Sequence, residues 1–467
     1  ENAFSIGPLT FFSFPGIVAS VYPYHFGIRL DRSVKGIDEI LASHGFNTAT
    51  IIEKNAFLTP FFGYARRAQY HVCVLSPSQA MKHKQAQSAR RKTRGTPKAK
   101  ADTWHQYPLR GLVQRLRPLW RDKKRTIAIG RLLLAALQFY KLRLTRKTVS
   151  IKEHRETHRR FRDTLSEFID SRFESPQFLW IHTMVNHAPY LPPDCSTEFS
   201  QRELDYLNSR AISGFLTRGV CGRLQRLYVE SMKTSDSLIG DILHALDTRG
   251  LLETSILIVT ADHGEEFMED GYYFSHDAES SSDRLLRVPL MFRCPGLIQP
   301  KTVSTPVATI DIAPTVCDLL GMQIPDTCRG LSLKAILSGT DGQATDAGPL
   351  LDRPIFSEAW QTRGPGDTRP GYESHKRVFS VREGAFKLIV REEQVSKNAV
   401  SQKLKLVDWM RDQPLDLTAN RELVEHLKAL LNNHIRTEGA FAAQARRKAE
   451  QSRVREKLSK VTSAQPR

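Results

Sequence analysis

"SILIVTADHGEEFMEDG", Ser255 to Gly271, sets six residues that read as a buried strand directly before an adjacent aspartate and histidine. A short run of Ile, Leu and Val bounded by turn signals suits a strand of an α/β sheet. In open α/β sheets the loops diverge at the carboxyl ends of the strands and leave a crevice for ligands. Asp262 and His263 stand at such an end. An Asp oxygen and a His nitrogen there can ligate one divalent cation, with Gly264 letting the backbone turn away. The plainer reading makes Asp262 the cap of a following helix, with Glu265 and Glu266 in its first turn.

Outward from this stretch, helix and strand signals alternate. "NTATIIE" (47–53) and "QFLWIHTM" (177–184) read as strands, each preceded by helical apolar spacing, the first of these helices stopping at Gly45. A long helix is expected through 224–250 with Gly250 beyond its end, and "VPLMFRCP" (288–295) is the next strand. Past about 345 the pattern turns to isolated strands and one helix, 420–435, as in a small α+β subdomain. The expected units are 1–345, 346–436 and a basic helical tail, 437–467.

The 467 residues carry a net charge of +18, but residues 81–160 alone hold +20 and residues 437–467 hold +5. The main body is therefore acidic. The basic character belongs to one insertion and one tail, which argues against a specific nucleic-acid partner. The insertion is expected as a solvated basic helical segment, and it is the part that can meet an anionic membrane surface. Its stretch "IAIGRLLLAALQFY" (127–140) contains Arg131 and reads as an amphipathic helix. Ala3 to Ile28 has no Asp, Glu, Lys or Arg, but Gly7, Pro8, Pro15, Gly16, Pro23 and Gly27 interrupt it, so buried, irregular backbone is expected there. Six cysteines without CxxC or regular spacing make a disulfide framework or zinc knuckle unlikely.

Two further histidines fall at the same edge of the expected sheet: His187 just past one strand, and His276 in a loop just ahead of another. Imidazoles placed there can contact anionic oxygens or protonate a leaving group. With these in view, "ILIVTADHGEEF", the loop histidine, "LLRVPLMFRCPG", "TIDIAPTVCDLLG" and "RGLSL" together resemble the second half of a sulfatase-type domain of the alkaline phosphatase superfamily. "GPLTFFSFPGIVASVYPYHFGIR" (7–29) resembles that family's nucleophile segment, and "FLWIHTMVNHAPYLPP" (178–193) its middle histidine loop. The likeness covers roughly residues 1–65 and 161–340. It implies an α/β, alkaline phosphatase-like fold: a largely parallel central sheet flanked by helices, with the C-terminal α+β subdomain beside it.

The resemblance also implies a nucleophile, and here the sequence departs from familiar sulfatases. They carry Cys or Ser in a C/S-x-P-x-R motif that is converted to formylglycine. Counting back from "YPYHFG" (22–27) puts Thr10 at that position; a shifted register chooses Ser13, with Ile17 where the arginine should be. Neither register supplies the formylglycine motif. Other members of the superfamily use a metal-activated Thr hydroxyl, which a divalent cation acidifies and holds in line with phosphorus or sulfur. The family's lysine after the second strand is missing, with Lys54 and Asn55 nearby as replacements. Val185 stands where related sequences often place an Asp two before the histidine. That favours a single Mg²⁺, Ca²⁺ or Mn²⁺ on Asp262, His263 and Thr10 over a second, zinc-type site, and leaves His187 and His276 to the substrate.

The expected activity is metal-dependent hydrolysis of a small-molecule, glycan or lipid sulfate ester. Phosphodiester or phosphonate hydrolysis, phosphoethanolamine-type transfer and anion binding without catalysis are the alternatives. The resemblance further implies metal-binding aspartates some tens of residues before the nucleophile, whereas nine residues precede Thr10. Weak cation binding and low activity are therefore expected of the numbered chain. Glu1, Asp277 and Asp283 are the next acidic candidates within it.

Overall fold

The computed structural model describes residues 1–55, 57–75, 151–171, 176–192, 198–213, 216–269, 274–339, 350, 353–362, 367, 369–396 and 399–463. Residues 81–150 of the basic insertion, the 127–140 stretch among them, lie outside the described residues. The chain begins with a two-residue strand, β1 (Ala3–Phe4), and helix α1 (Thr10–Ala19). The middle of the stretch expected as irregular is thus helical, with Pro15 inside it. Burial explains this. Phe12, Phe14, Val18 and Ala19 all enter the main core, and tertiary packing of this kind overrides the proline penalty. Gly16 lets α1 lie against Ile6, whose Cδ1 would stand 2.6 Å from an added Cβ. Ser20 ends the helix in the left-handed region, at φ 53.

Helix α2 (Ile37–Ala42) leads into β2 (Asn47–Glu53), followed by β3 (Tyr70–Val74), helix α3 (Ile151–Asp170) and β4 (Gln177–His182). These strands form a parallel sheet in the order β3-β2-β4, with Ala49 opposite both Tyr70 and Leu179. Both faces are covered, which is why residues 48–53 of β2 are all buried, the threonines and Glu53 included. Ile51 packs with Phe161, Leu165 and Ile169 of α3, whereas its neighbour Ile52 joins Phe14 and Ile312 on the opposite side. Helices α4 (Gln201–Ser213) and α5 (Arg218–Thr248) come next; α5 sends Leu238 into the α3 cluster.

Strand β5 (Leu257–Thr260) precedes a small hairpin, β6 (Glu266–Phe267) and β7 (Phe274–Ser275), and then β8 (Arg287–Val288), β9 (Leu290–Arg293) and β10 (Val307–Ala308). The central sheet runs in segments. Among the described residues β4 pairs only with β2, and β5 only with β9, antiparallel, while β1 lies between β10 and β8. Every residue of β4 and β5 is half-buried, unlike the buried residues of β2. Helix α6 (Ile312–Leu319) packs on α1.

A five-stranded antiparallel sheet, β11 (Ile355–Trp360), β12 (Lys376–Glu383), β13 (Phe386–Ser396), β14 (Ala399–Asp408) and β15 (Gln413–Leu415), follows in sequential order. Trp360, Phe379, Val381 and Leu388 join the core that holds α1, each such side chain contributing about 1.5–3 kcal/mol by burial. Helix α7 (Arg421–Ser463) is continuous, so the expected boundary at 436 falls inside it. Ala442 and Ala445 beyond that point are buried in the same core, and Arg446 donates to the His25 carbonyl. No helix among the described residues is long and apolar enough to cross a membrane, and their five cysteines are free.

Candidate active site

Asp262 follows β5, and Thr10 is the first residue of α1. Ser5 joins the two segments by donating from Oγ to the Asp262 carbonyl at 2.6 Å. The Asp262 carboxylate accepts the His263 N–H at 3.1 Å, and the Thr10 hydroxyl stands close enough to favour its ionised form. No helix follows, so Asp262 is not a helix cap; the chain passes through Gly264 and Glu265 into β6. Gly264 is needed for close approach. Its N–H donates to the Leu285 carbonyl at 2.8 Å, and an added Cβ would lie 1.9 Å from the Arg284 carbonyl oxygen.

Three imidazoles gather beside this carboxylate. His263 Nδ1–H donates to the Gly264 carbonyl at 2.8 Å, and His187 Nδ1–H to the Ala188 carbonyl at 2.5 Å, which turns the Nε2 edge of each ring away from the backbone. His276 Nδ1 meets Glu265 Oε1 at 3.0 Å. The His276 ring lies 4.6 Å from that of His263 and 4.9 Å from that of His187. Burial opposes ionisation of Asp262 and Glu265, yet the neighbouring imidazoles, with the Thr10 hydroxyl on Asp262, hold both carboxyls below their usual range. Tyr228 of α5 is pushed up to about 12 by burial and by the charges of Glu265 and Asp262.

Burial and the nearby His276 push His187 from 6.5 down to about 4. His154 of α3 is pushed from 6.5 to about 3 by burial and by Lys54. The unfolded chain takes up these protons near pH 6.5, so between that pH and the folded values it binds more of them than the native state. Stability from these neutral rings is present above about pH 6.5 and lost as pH falls through about 4. Thermal unfolding at pH 7, 5.5 and 4.5 is therefore expected to show a falling midpoint, and His154→Gln is expected to flatten the slope. A midpoint independent of pH in this window would overturn the assignment of both rings as neutral.

Thr10, His187, His276, Asp262 and His263 thus stand at one place. Ser13 does not: it is fully buried and its hydroxyl donates to the Thr10 carbonyl at 3.1 Å. Lys54 turns away toward Glu53 and His154, whereas Asn55 Nδ2 lies 3.2 Å from His182 Nε2. Of the acidic candidates, Asp283 is held by Arg382 and, at 2.6 Å, by Lys387; Asp277 accepts from the Glu279 N–H; the amino group of Glu1 bonds Val303. Sequence reading missed His182, Glu265 and Tyr228. His182 ends β4, packs edge-on against Phe14 at 5.3 Å and is coupled to Asp262 by charge.

For a divalent cation, Asp262 Oδ2 and His263 Nε2 are 3.7 Å apart, with the Thr10 hydroxyl beside that carboxylate. A hard oxygen, a borderline nitrogen and a hydroxyl fit one Mg²⁺-, Mn²⁺- or Ca²⁺-type ion in kind. They are fewer than the roughly six to eight donors such ions take, which leaves the rest of the shell to substrate and solvent oxygens. Among the described residues no group of three or more His, Cys, Asp and Glu side chains is arranged to hold a metal.

The layered α/β core, with a carboxylate and imidazole cluster at its strand ends, has an alkaline phosphatase-like fold. The sulfatase family model matches residues 1–322, and the chain belongs to that family. Arylsulfatase K of Xenopus laevis is 27% identical over 183 residues, 38% of this chain and 34% of the relative. The chain thus spans about a third of that relative's length. Among solved structures, the phosphonate monoester hydrolase of Agrobacterium radiobacter superposes with a TM-score of 0.58 at 14% identity, covering 95% of this chain and 88% of the other. A 2-O GAG sulfatase gives 0.57 at 15% identity, covering 94% and 84%. These likenesses show a shared fold.

Proposed function

We propose that the chain hydrolyses a sulfate ester of a small molecule or glycan, with Thr10 as nucleophile. The observation that carries the reading is the Thr10 hydroxyl beside the Asp262 carboxylate, close to the grouped rings of His187, His263 and His276. Thr10 Oγ, its proton released to solvent, attacks sulfur as the S–O bond to the ester oxygen breaks; water then attacks the same sulfur, breaking the S–O bond to Thr10 and releasing sulfate with the threonine hydroxyl restored. The positive end of the α1 dipole lies at Thr10 and favours negative charge on the attacked group. His276, held through Nδ1 by Glu265, presents Nε2 to give a proton to the leaving oxygen. His187, neutral at pH 7 with its proton on Nδ1, presents a free Nε2 lone pair that takes the proton of the attacking water. One divalent cation on Asp262 and His263 would acidify the Thr10 hydroxyl and offset charge on the sulfuryl oxygens.

A second reading, phosphate or phosphonate ester hydrolysis, is favoured by the unmodified threonine in the nucleophile position. Turnover of p-nitrophenyl sulfate, phosphate and bis-phosphate esters by the full chain, with Mg²⁺, Mn²⁺ or Ca²⁺ and with chelator, separates the two. Sulfate turnover that chelator abolishes is expected. Faster phosphate-ester turnover would select the second reading, and no turnover of any ester under any metal would select an anion-binding role.

A further inference from the structure

Three buried titratable groups, Glu53, His154 and His158, lie with the half-buried Lys54 behind the loop that carries His187, and the proposed chemistry uses none of them. Glu53, at the carboxyl end of β2, is fully buried. Its Oε2 accepts from Thr183 Oγ1–H at 2.8 Å and from the Met184 N–H at 3.1 Å, both in the loop after β4. Its Oε1 meets Lys54 Nζ at 3.0 Å and His158 Nδ1 of α3 at 3.3 Å. Lys54 continues to His154 Nδ1 at 2.9 Å, one helical turn from His158. The backbone of Lys54 lies in the left-handed region, φ 55, with its N–H on the Val74 carbonyl. The next residue, Asn55, reaches His182 Nε2.

Stability is a weak reason for this cluster. A buried ion pair costs about as much in desolvation as it returns, and a non-glycine residue at positive φ adds strain. Burial alone would raise the Glu53 carboxyl, but His158, Lys54 and Thr183 hold it well below the usual range, so both loop bonds go to an ionised acceptor. The rest of the loop is pinned in sequence. The Val185 N–H reaches Thr183 Oγ1 at 3.3 Å, Val185 is fully buried, and Asn186 Oδ1 accepts from Ser235 of α5 at 3.1 Å.

We propose that Glu53 is a positioning residue: clamped from α3 by His158 and from β2 by Lys54, its carboxylate fixes the Thr183–His187 loop so that His187 stands against His276. Its kinetic consequence rests on the hydrolase reading above; its structural consequence does not. Thr183→Val removes the hydroxyl at nearly constant shape, and Thr183→Ser restores it. Glu53→Gln combined with Lys54→Met removes both charges together, so that neither is left buried and unpaired. Hydrogen exchange of full-length wild type and variants, followed by mass spectrometry over peptides spanning 183–188, reads the loop directly. Exchange there is expected to rise about tenfold or more in Thr183→Val and in the double variant, and to return to the wild-type rate in Thr183→Ser. With an ester that wild type turns over, kcat is expected to fall about tenfold in the same two variants, KM staying within about twofold. Wild-type exchange over 183–188 in folded Thr183→Val overturns the proposal, whatever the double variant does. If wild type turns over no ester, the hydrolase reading fails while the exchange result still decides this one.

Discussion

Thr10→Ala is expected to lower ester turnover by at least about 10³-fold while the melting temperature shifts little. The hydroxyl is the proposed attacking group, and the rest of its environment survives the change. Alanine is a good helix former, α1 keeps its buried face of Phe12, Phe14 and Val18, and Asp262 keeps its bond from the His263 N–H. Ser13→Ala is expected to change turnover far less, because that hydroxyl is buried inside α1 on the Thr10 carbonyl. Steady-state kinetics on both variants gives the comparison, and mass spectrometry of a trapped intermediate locates the adduct. An adduct on Ser13, or formylglycine anywhere in the chain, would falsify the assignment.

Asp262→Ala is expected to lose the cation and turnover together, again by about 10³-fold or more. Asp262 supplies the carboxylate oxygen of the proposed site and lies beside the Thr10 hydroxyl, so its removal takes away the proposed metal donor and the charge next to the nucleophile. His276→Ala should behave differently. Its Nδ1 is committed to Glu265, which leaves Nε2 for the proposed proton transfer to the leaving group, and a lost proton donor costs about 10²-fold in rate. Titration calorimetry with Mn²⁺ on wild type and both variants distinguishes the two roles. If His276→Ala also abolishes Mn²⁺ binding, the single-cation reading on Asp262 and His263 is wrong.

The parts of this site that sequence made legible are those whose local pattern matches their final place. "NTATIIE" folds as β2 over the same seven residues, and "ADHG" does stand past the end of β5. Local pattern misled where tertiary packing took over. Prolines and glycines in 3–28 argued against a helix, yet burial on nearly every side, with Phe12, Phe14 and Val18 in the core, formed α1. Glu265 sat at a plausible helix start, and a hairpin turned it onto His276 instead. His182 read as an ordinary strand residue because its partners Asn55 and Asp262 are distant in the chain. A histidine as the last residue of an apolar strand, three before a loop already suspected, was the signal available for it.

The one-sided pairing of β4 and β5 has a colloidal side. Phe178, Trp180 and Ile258 border these edges only partly buried, next to backbone N–H and C=O groups that a further strand would satisfy. Neither strand carries a lysine, a proline or a bulge of the kind that natural edges use to repel neighbours. Among the described residues these edges therefore form a template for intermolecular β-pairing, and self-association through them is the expected outcome at high concentration.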